Sequence, residues 1–175
     1  EHCLAAIAAL DIDNIVIELD AEELPGLDGS SHGYFTMLKK CGLDVQDAEQ
    51  HPIVISESIC ITEDDKSIYA LPSNEGGLNI TYDLDYTEHT GIGRQIYSCQ
   101  LNEKNYTENL ARARTFVLEA EARQMQAAGI GTHLGPKDIL VINSDGPIKN
   151  SFRYPDECVR HKVVDLIGDL RLAGR

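Results

Sequence analysis

Apolar positions recur at helical spacing from His2 to Leu10, in a stretch rich in alanine, so a helix is expected there. Asp11 to Asn14 breaks the pattern, and Ile15 to Leu19 alternates with β-branched residues, which reads as a turn followed by a strand. Pro25, Gly26, Asp28, Gly29 and Ser30 form a loop, and a short helix over Tyr34 to Lys40 can end at Gly42. These elements read as half of an α+β sandwich. The pattern changes from Pro52: Ile53, Ile55, Ile59 and Ile61, then Ser67–Leu71, Leu78–Leu84 and Ile96–Cys99, alternate as successive antiparallel strands. Turns fall at Asp64-Asp65, Ser73 to Gly77 and Thr90-Gly91, and a domain boundary fits residues 46 to 52. Asn105 to Ala128 carries helix formers with Leu110, Phe116, Val117, Leu118 and Met125, and is closed by Gly129. A Gly-rich loop, Gly129 to Pro136, precedes a buried-type strand at Ile139 to Ile142. The last helix, about Asp156 to Leu172, aligns Val159, Val163, Leu166, Ile167 and Leu170, with Gly174 as its cap. Glu1-His2 opens the first helix and Arg160-His161 lies near the start of the last, an echo that fits a duplicated fold.

Composition narrows the class. Apolar residues make up 42% and charged ones 25% of the 175, which predicts a folded body of one or two domains. Fifteen Lys and Arg stand against 29 Asp and Glu, a net charge of −14 that repels nucleic acid. An anionic small substrate would need local cations, and the richest cluster is Arg153, Arg160, His161 and Lys162. Five scattered cysteines, an odd number with no C-x-x-C pair, fit a reducing cytoplasm. No apolar run approaches the roughly 18 residues of a membrane span.

His161, Asp165 and Asp169 follow one another at intervals of four, which puts them on one stripe of the last helix with Lys162 beside them. Imidazole and carboxylate on one face form a usable pair of zinc ligands. Against this, six histidines in so acidic a chain yield roughly one His-x-x-x-acid match by chance, and a solvated helix face is the simpler reading of the spacing. The apolar surroundings and Gly168 favour a metal, since charges there need partners. His2 offers a third ligand and Glu1 a base, against the simpler reading of a surface pair at a frayed end. His32, His51 and His89 sit in loop-like stretches and read as solvated, while His133 lies in the Gly-rich loop. Thr115 offers a hydroxyl and Phe116 an apolar face, although Arg112-Ala113-Arg114-Thr115-Phe116 also reads as core packing flanked by surface arginines. Gly129 to Gly135 lacks the spacing of a dinucleotide fingerprint, and no G-x-S-x-G is present.

Four segments together resemble the UDP-3-O-acyl-N-acetylglucosamine deacetylase family of lipid A biosynthesis: EHCLAAIAALDIDNIVIELD (1–20), ELPGLDGSS (23–31), RARTF (112–116) and FRYPDECVRHKVVDLIGDLRLAGR (152–175). The core of the last, VRHKVVDLIGD, is the most specific, and looser agreement runs from 45 to 105. The resemblance implies an α+β fold of two similar two-layer α/β sandwich domains of β-α-α-β type, each with a small insert. Residues 1–48 would be the C-terminal part of the first domain. Residues 49–175 would be the second, incomplete at its C-terminus, with an insert at about 117–143 forming a passage for the acyl chain. It implies Zn2+, with Fe2+ as the alternative, held by His2, His161 and Asp165. Glu1 would be general base, Thr115 would stabilise the oxyanion, Phe116 and Lys162 would contact substrate, and Asp169 would orient a second catalytic His. That His would lie beyond Arg175, and a substantial segment would precede Glu1. The substrate implied is an acylated UDP-amino sugar, deacetylated by a cytoplasmic monomer of a Gram-negative-type bacterium. The loop GIGTHLGPKD (129–138) departs from the shorter Gly-Gly turn of many members, which bears on acyl length. The competing class is a non-catalytic or degenerate binding module of the same fold.

Overall fold

The structure, a computed structural model, describes residues 1–132, 134–135 and 138–174. The alanine-rich opening is helix α1 (His2–Ala9), whose small buried residues Ala5, Ala6 and Ala9 allow close helix packing. Helix α2 (His32–Cys41) ends at Gly42, whose φ of 79° suits a residue without Cβ. Strands β1 (Ile59–Glu63) and β2 (Lys66–Ala70) pair through Asp64-Asp65, and β3 (Asn79–Tyr86) and β4 (Gly93–Gln100) form a second antiparallel pair. On β3 the alternation is realised: Ile80 and Leu84 are buried, while Asn79, Thr81, Asp83 and Asp85 face outward.

The next segment is more broken than its helix formers suggest. A short helix α3 (Glu103–Asn105) runs into a π-helical turn (Tyr106–Leu110), and the chain then extends into β5 (Phe116–Leu118) before α4 (Glu119–Ala127). The helix formers over 105–128 are thus realised as two helical pieces with a strand between them. Long-range partners explain the break: the Arg114 N–H donates to Glu157 and the Thr115 N–H donates to the Gly29 carbonyl, in place of bonds to the preceding turn. Strand β6 (Leu140–Asn143) runs parallel to β5, joined to it through α4 as a small β-α-β unit, and β7 (Gly146–Pro147) adds an antiparallel edge.

Helix α5 (Glu157–Arg171) is the spine of this α+β arrangement. Its Val163, Val164 and Ile167 join Ile7 of α1, Phe35 of α2, Tyr106 and Leu110 in one buried cluster. Its first turn, Cys158 and Val159, joins Leu84, Ile92, Leu140 and Ile142 in a second. The α1–α5 contact depends on Gly168, where a Cβ would lie 2.7 Å from Glu1 Cα and overlap the Glu1 carbonyl.

Two expected strand segments are not formed. Ile15, Val16, Ile17 and Leu19 are exposed in an irregular segment, and Ile53 and Val54 likewise. Strand propensity is realised only where a neighbour offers a ladder and a packed face, and among the described residues none pairs with them. His133 and part of the Gly-rich loop lie outside the described residues.

Candidate metal centre

The centre is built where three segments meet. Helical spacing sets His161 and Asp165 one turn apart on α5, α1 brings His2 across the Gly168 contact, and the stretch between the π-helical turn and β5 presents Thr115. His161 is 2% exposed and Asp165 8%. The Nε2 atoms of His2 and His161 stand 3.3 Å apart, and Asp165 Oδ1 lies 3.1 Å from His161 Nε2 and 3.6 Å from His2 Nε2. Thr115 Oγ1 is 3.0 Å from His161 Nε2 and 3.2 Å from His2 Nε2.

The chemistry of this convergence is that of a cation site. His161 Nδ1 faces the Ala113 carbonyl at 3.0 Å, and a carbonyl only accepts, so the ring donates there and turns the lone pair of Nε2 inward. Asp165 Oδ1 is buried without a hydrogen-bond partner among the described residues. Oδ2, its second oxygen, is taken by Lys162 Nζ at 3.0 Å. One orphaned carboxylate oxygen and two imidazole nitrogens, all within 4.8 Å of one another, fit a divalent metal of the zinc type in donor kind and number. Burial pushes the Asp165 carboxyl up, but His161 and His2, where their rings are protonated and donate to it, and the Lys162 ammonium outweigh burial and hold the group well below the usual carboxylate range. Burial likewise opposes the charge on Lys162, and the Asp165 carboxylate overrides it and raises that ammonium.

The other expected residues divide. Glu1 is exposed at the start of α1, next to His2 and close enough to Lys162 to act on its charge. Phe116 is half-buried with its ring edge-on to Tyr86, centroids 5.8 Å apart. Asp169 is exposed and stands outside the triad, so the stripe of three expected on α5 contributes two. His32, His51 and His89 are exposed. The cluster Arg153, Arg160, His161 and Lys162 is dispersed by the helix. Arg160 pairs with Asp156 and lies over the rings of Tyr97 and Tyr154 at 4.3 and 4.8 Å, and Arg153 bonds Asp28. Neighbours on a helix diverge in direction, so Arg160 turns away while Lys162, one position on from His161, stands beside the centre.

Sequence reasoning missed three contributors. The Ala113 carbonyl is backbone and leaves no trace in residue type. Arg114 reads as a surface arginine yet is 5% exposed, and Glu157 is fully buried. The available signal was the spacing of Glu157, one helical turn before His161. Thr115 is also bracketed from the loop side: its N–H donates to Gly29, its carbonyl accepts from Leu140, and Gly29, at a φ of 77°, leaves no room for a Cβ against the Asp138 carbonyl.

An α+β body with a His-His-Asp centre held between its first and last helices defines the class. Within that class, the sequence matches the LpxC family, UDP-3-O-acyl N-acetylglycosamine deacetylase, over residues 1–175, and the chain belongs to that family. Among curated relatives, the UDP-3-O-acyl-N-acetylglucosamine deacetylase of Leptospira biflexa serovar Patoc is 35% identical over 175 residues, covering 100% of this chain and 57% of its own length. Its counterpart in Campylobacter lari is 38% identical over 176 residues, and that in Helicobacter hepaticus 37% over 175, each covering 99% of this chain and 58% of the relative. The chain thus spans less than two thirds of the length of these relatives. Among the described residues no helix is long and apolar enough to cross a membrane.

Proposed function

We propose that the chain carries the metal centre of a zinc-dependent hydrolase that removes the N-acetyl group from UDP-3-O-acyl-N-acetylglucosamine; its relatives are named as deacetylases of that compound. The observation that carries this reading is the orphaned Asp165 Oδ1 beside two inward-facing Nε2 atoms, in a chain of this family. When bound, zinc supplies Lewis acidity that polarises a carbonyl and acidifies water.

The protein's own groups do the rest. His2, His161 and Asp165 hold the ion; Fe2+ is the alternative ion for these N and O donors. Glu1, next to His2, takes the proton of the attacking water. Thr115 Oγ1, at hydrogen-bond distance from both imidazoles, donates a hydrogen bond to the oxyanion that develops on the acetamide carbonyl. Lys162 shields Asp165 and offers its cationic face to substrate, and the Phe116 ring, backed by Tyr86, provides an apolar contact. Asp169 would orient the second catalytic His, the acid for the departing amine.

The domain reading is supported by the irregular, exposed stretch between α2 and β1. A boundary there would divide residues 1–48 from 49–175, and the β-α-β unit coincides with the insert expected at about 117–143. Duplication of the layers, a cytoplasmic location and a monomeric state belong to the same proposal.

The test is metal content by mass spectrometry together with deacetylation of the acylated UDP-sugar, for the full-length protein and its His161→Ala and Asp165→Ala variants. About one zinc per chain, lost with activity in both variants, is the expected result. A folded protein without metal affinity would leave the non-catalytic binding module.

A further inference from the structure

Glu157 takes no part in the centre, yet it is fully buried and its carboxylate accepts four N–H donors. Arg114 supplies three, from its backbone N at 3.1 Å, Nε at 2.8 Å and Nη2 at 3.1 Å; the Arg153 backbone N supplies the fourth at 2.6 Å. The remaining reach of Arg114 goes to Asn150 Oδ1 at 3.0 Å and the Ser151 carbonyl at 2.7 Å. Both charges are therefore saturated, and neither touches His2, His161, Asp165 or the Thr115 hydroxyl.

Their position along the chain is what matters. Glu157 is one turn before His161 on α5, and Arg114 immediately precedes Thr115. One turn further along the helix, His161 Nδ1 donates to the Ala113 carbonyl. Two rungs, Glu157–Arg114 and His161–Ala113, thus lock residues 113–115 to α5. A bidentate carboxylate–guanidinium pair fixes direction as well as distance, which a single hydrogen bond does not. The gain in stability from such a pair is small once desolvation is counted, because buried pairs can often be replaced by apolar residues of similar volume without loss. Placement remains as the distinctive contribution.

We propose that the buried Glu157–Arg114 pair is a positioning unit that sets the register of residues 113–115 against α5, fixing the Thr115 hydroxyl and the His161 ring for the metal and for hydrolysis. The proposal rests on the metal-centre reading and assigns the pair no contact with the reacting atoms. Outer partners of this kind shift metal affinity by roughly 10- to 100-fold when removed.

Zinc affinity by chelator competition, the absorption spectrum of the cobalt-substituted protein, kcat and KM, and urea stability would be measured on the full-length protein. The variants are Glu157→Gln, Arg114→Lys and the double apolar replacement Arg114→Met with Glu157→Leu; His161→Ala is the control for the centre itself. The two single variants are expected to lose about tenfold in zinc affinity and in kcat, with KM within twofold and a changed cobalt spectrum. The double variant should regain stability while keeping those losses. Wild-type zinc affinity and cobalt spectrum in the folded double variant, or in both single variants, would overturn the positioning role while leaving the centre intact. Failure of the wild-type protein to bind zinc any better than His161→Ala would instead remove the centre on which it stands.

Discussion

At the scale of single residues, Asp165 shows how a site can be made ready for a cation. The depressed carboxyl is the ionised form in the folded protein. Its contribution to stability is therefore present in full above the unfolded-chain value of about 3.9 and fades only as pH falls to the lower folded value. Across the range in which zinc binds, the proton that competes at the centre is consequently not that of Asp165. Asp165→Asn should lower zinc affinity by more than about 100-fold, beyond the loss of a partner outside the ligand set. Chelator competition on the two proteins checks this, and an unchanged affinity would show that Asp165 is no ligand. The same residue marks the limit of sequence reading. His161 and Asp165 could be picked out by spacing, but the same spacing arises by chance, and nothing in residue type distinguishes exposed Asp169 from buried Asp165. Arg114 and Glu157 were hidden for a related reason: charged residues are ordinarily exposed, and only their mutual pairing makes burial tolerable.

At the scale of elements, legibility followed how local the forces are. Helices α1, α2 and α5 and the β3–β4 pair were readable because periodicity, a terminating Gly and short turns all act within a few residues. The Ile15–Leu19 segment and the break after Leu110 were not, since one awaits a pairing partner and the other is imposed by Glu157 and Gly29 from far along the chain. The α1–α5 contact is equally nonlocal, and it carries a sharp expectation. Gly168→Ala must push the Glu1 backbone away from α5, because the atoms in the way are main chain and cannot rotate aside. A loss of about 1–3 kcal/mol in urea stability is expected from the overpacking, with a drop in zinc affinity from the displaced His2. Ala is otherwise the better helix former by about 1 kcal/mol, so a variant of unchanged or increased stability would contradict the contact.

At the scale of the molecule, the centre couples the opening helix to the closing one. A ligand that binds only this arrangement stabilises it by mass action, about 2.7 kcal/mol at a free concentration of 100 Kd. For a domain of this size that corresponds to a rise in Tm of roughly 5–10 °C. Thermal scans with zinc and with a chelator measure it, and hydrogen exchange should slow together in 2–9 and 157–171. Protection confined to α5 would mean that His2 is no ligand. The net charge of −14 describes the whole chain and leaves room for a local cation, as Lys162 beside Asp165 shows. What composition could not show is that the neighbouring cations turn elsewhere.

The partners His2 and His161 are separated by 159 positions. During synthesis, α1 leaves the ribosome long before α5 exists, and in that interval His2 has neither companion ligand. An ion held by the proposed ligands would therefore have to wait until both ends of the chain exist, and would act as a clasp over the hydrophobic contacts between α1 and α5. Closing so long a loop is not prohibitive, because each doubling of its length adds only about 0.6 kcal/mol. It is slow, however, because contacts remote in sequence form late. Metal starvation should accordingly leave a folded, vacant protein able to load afterwards, rather than a chain that never folds.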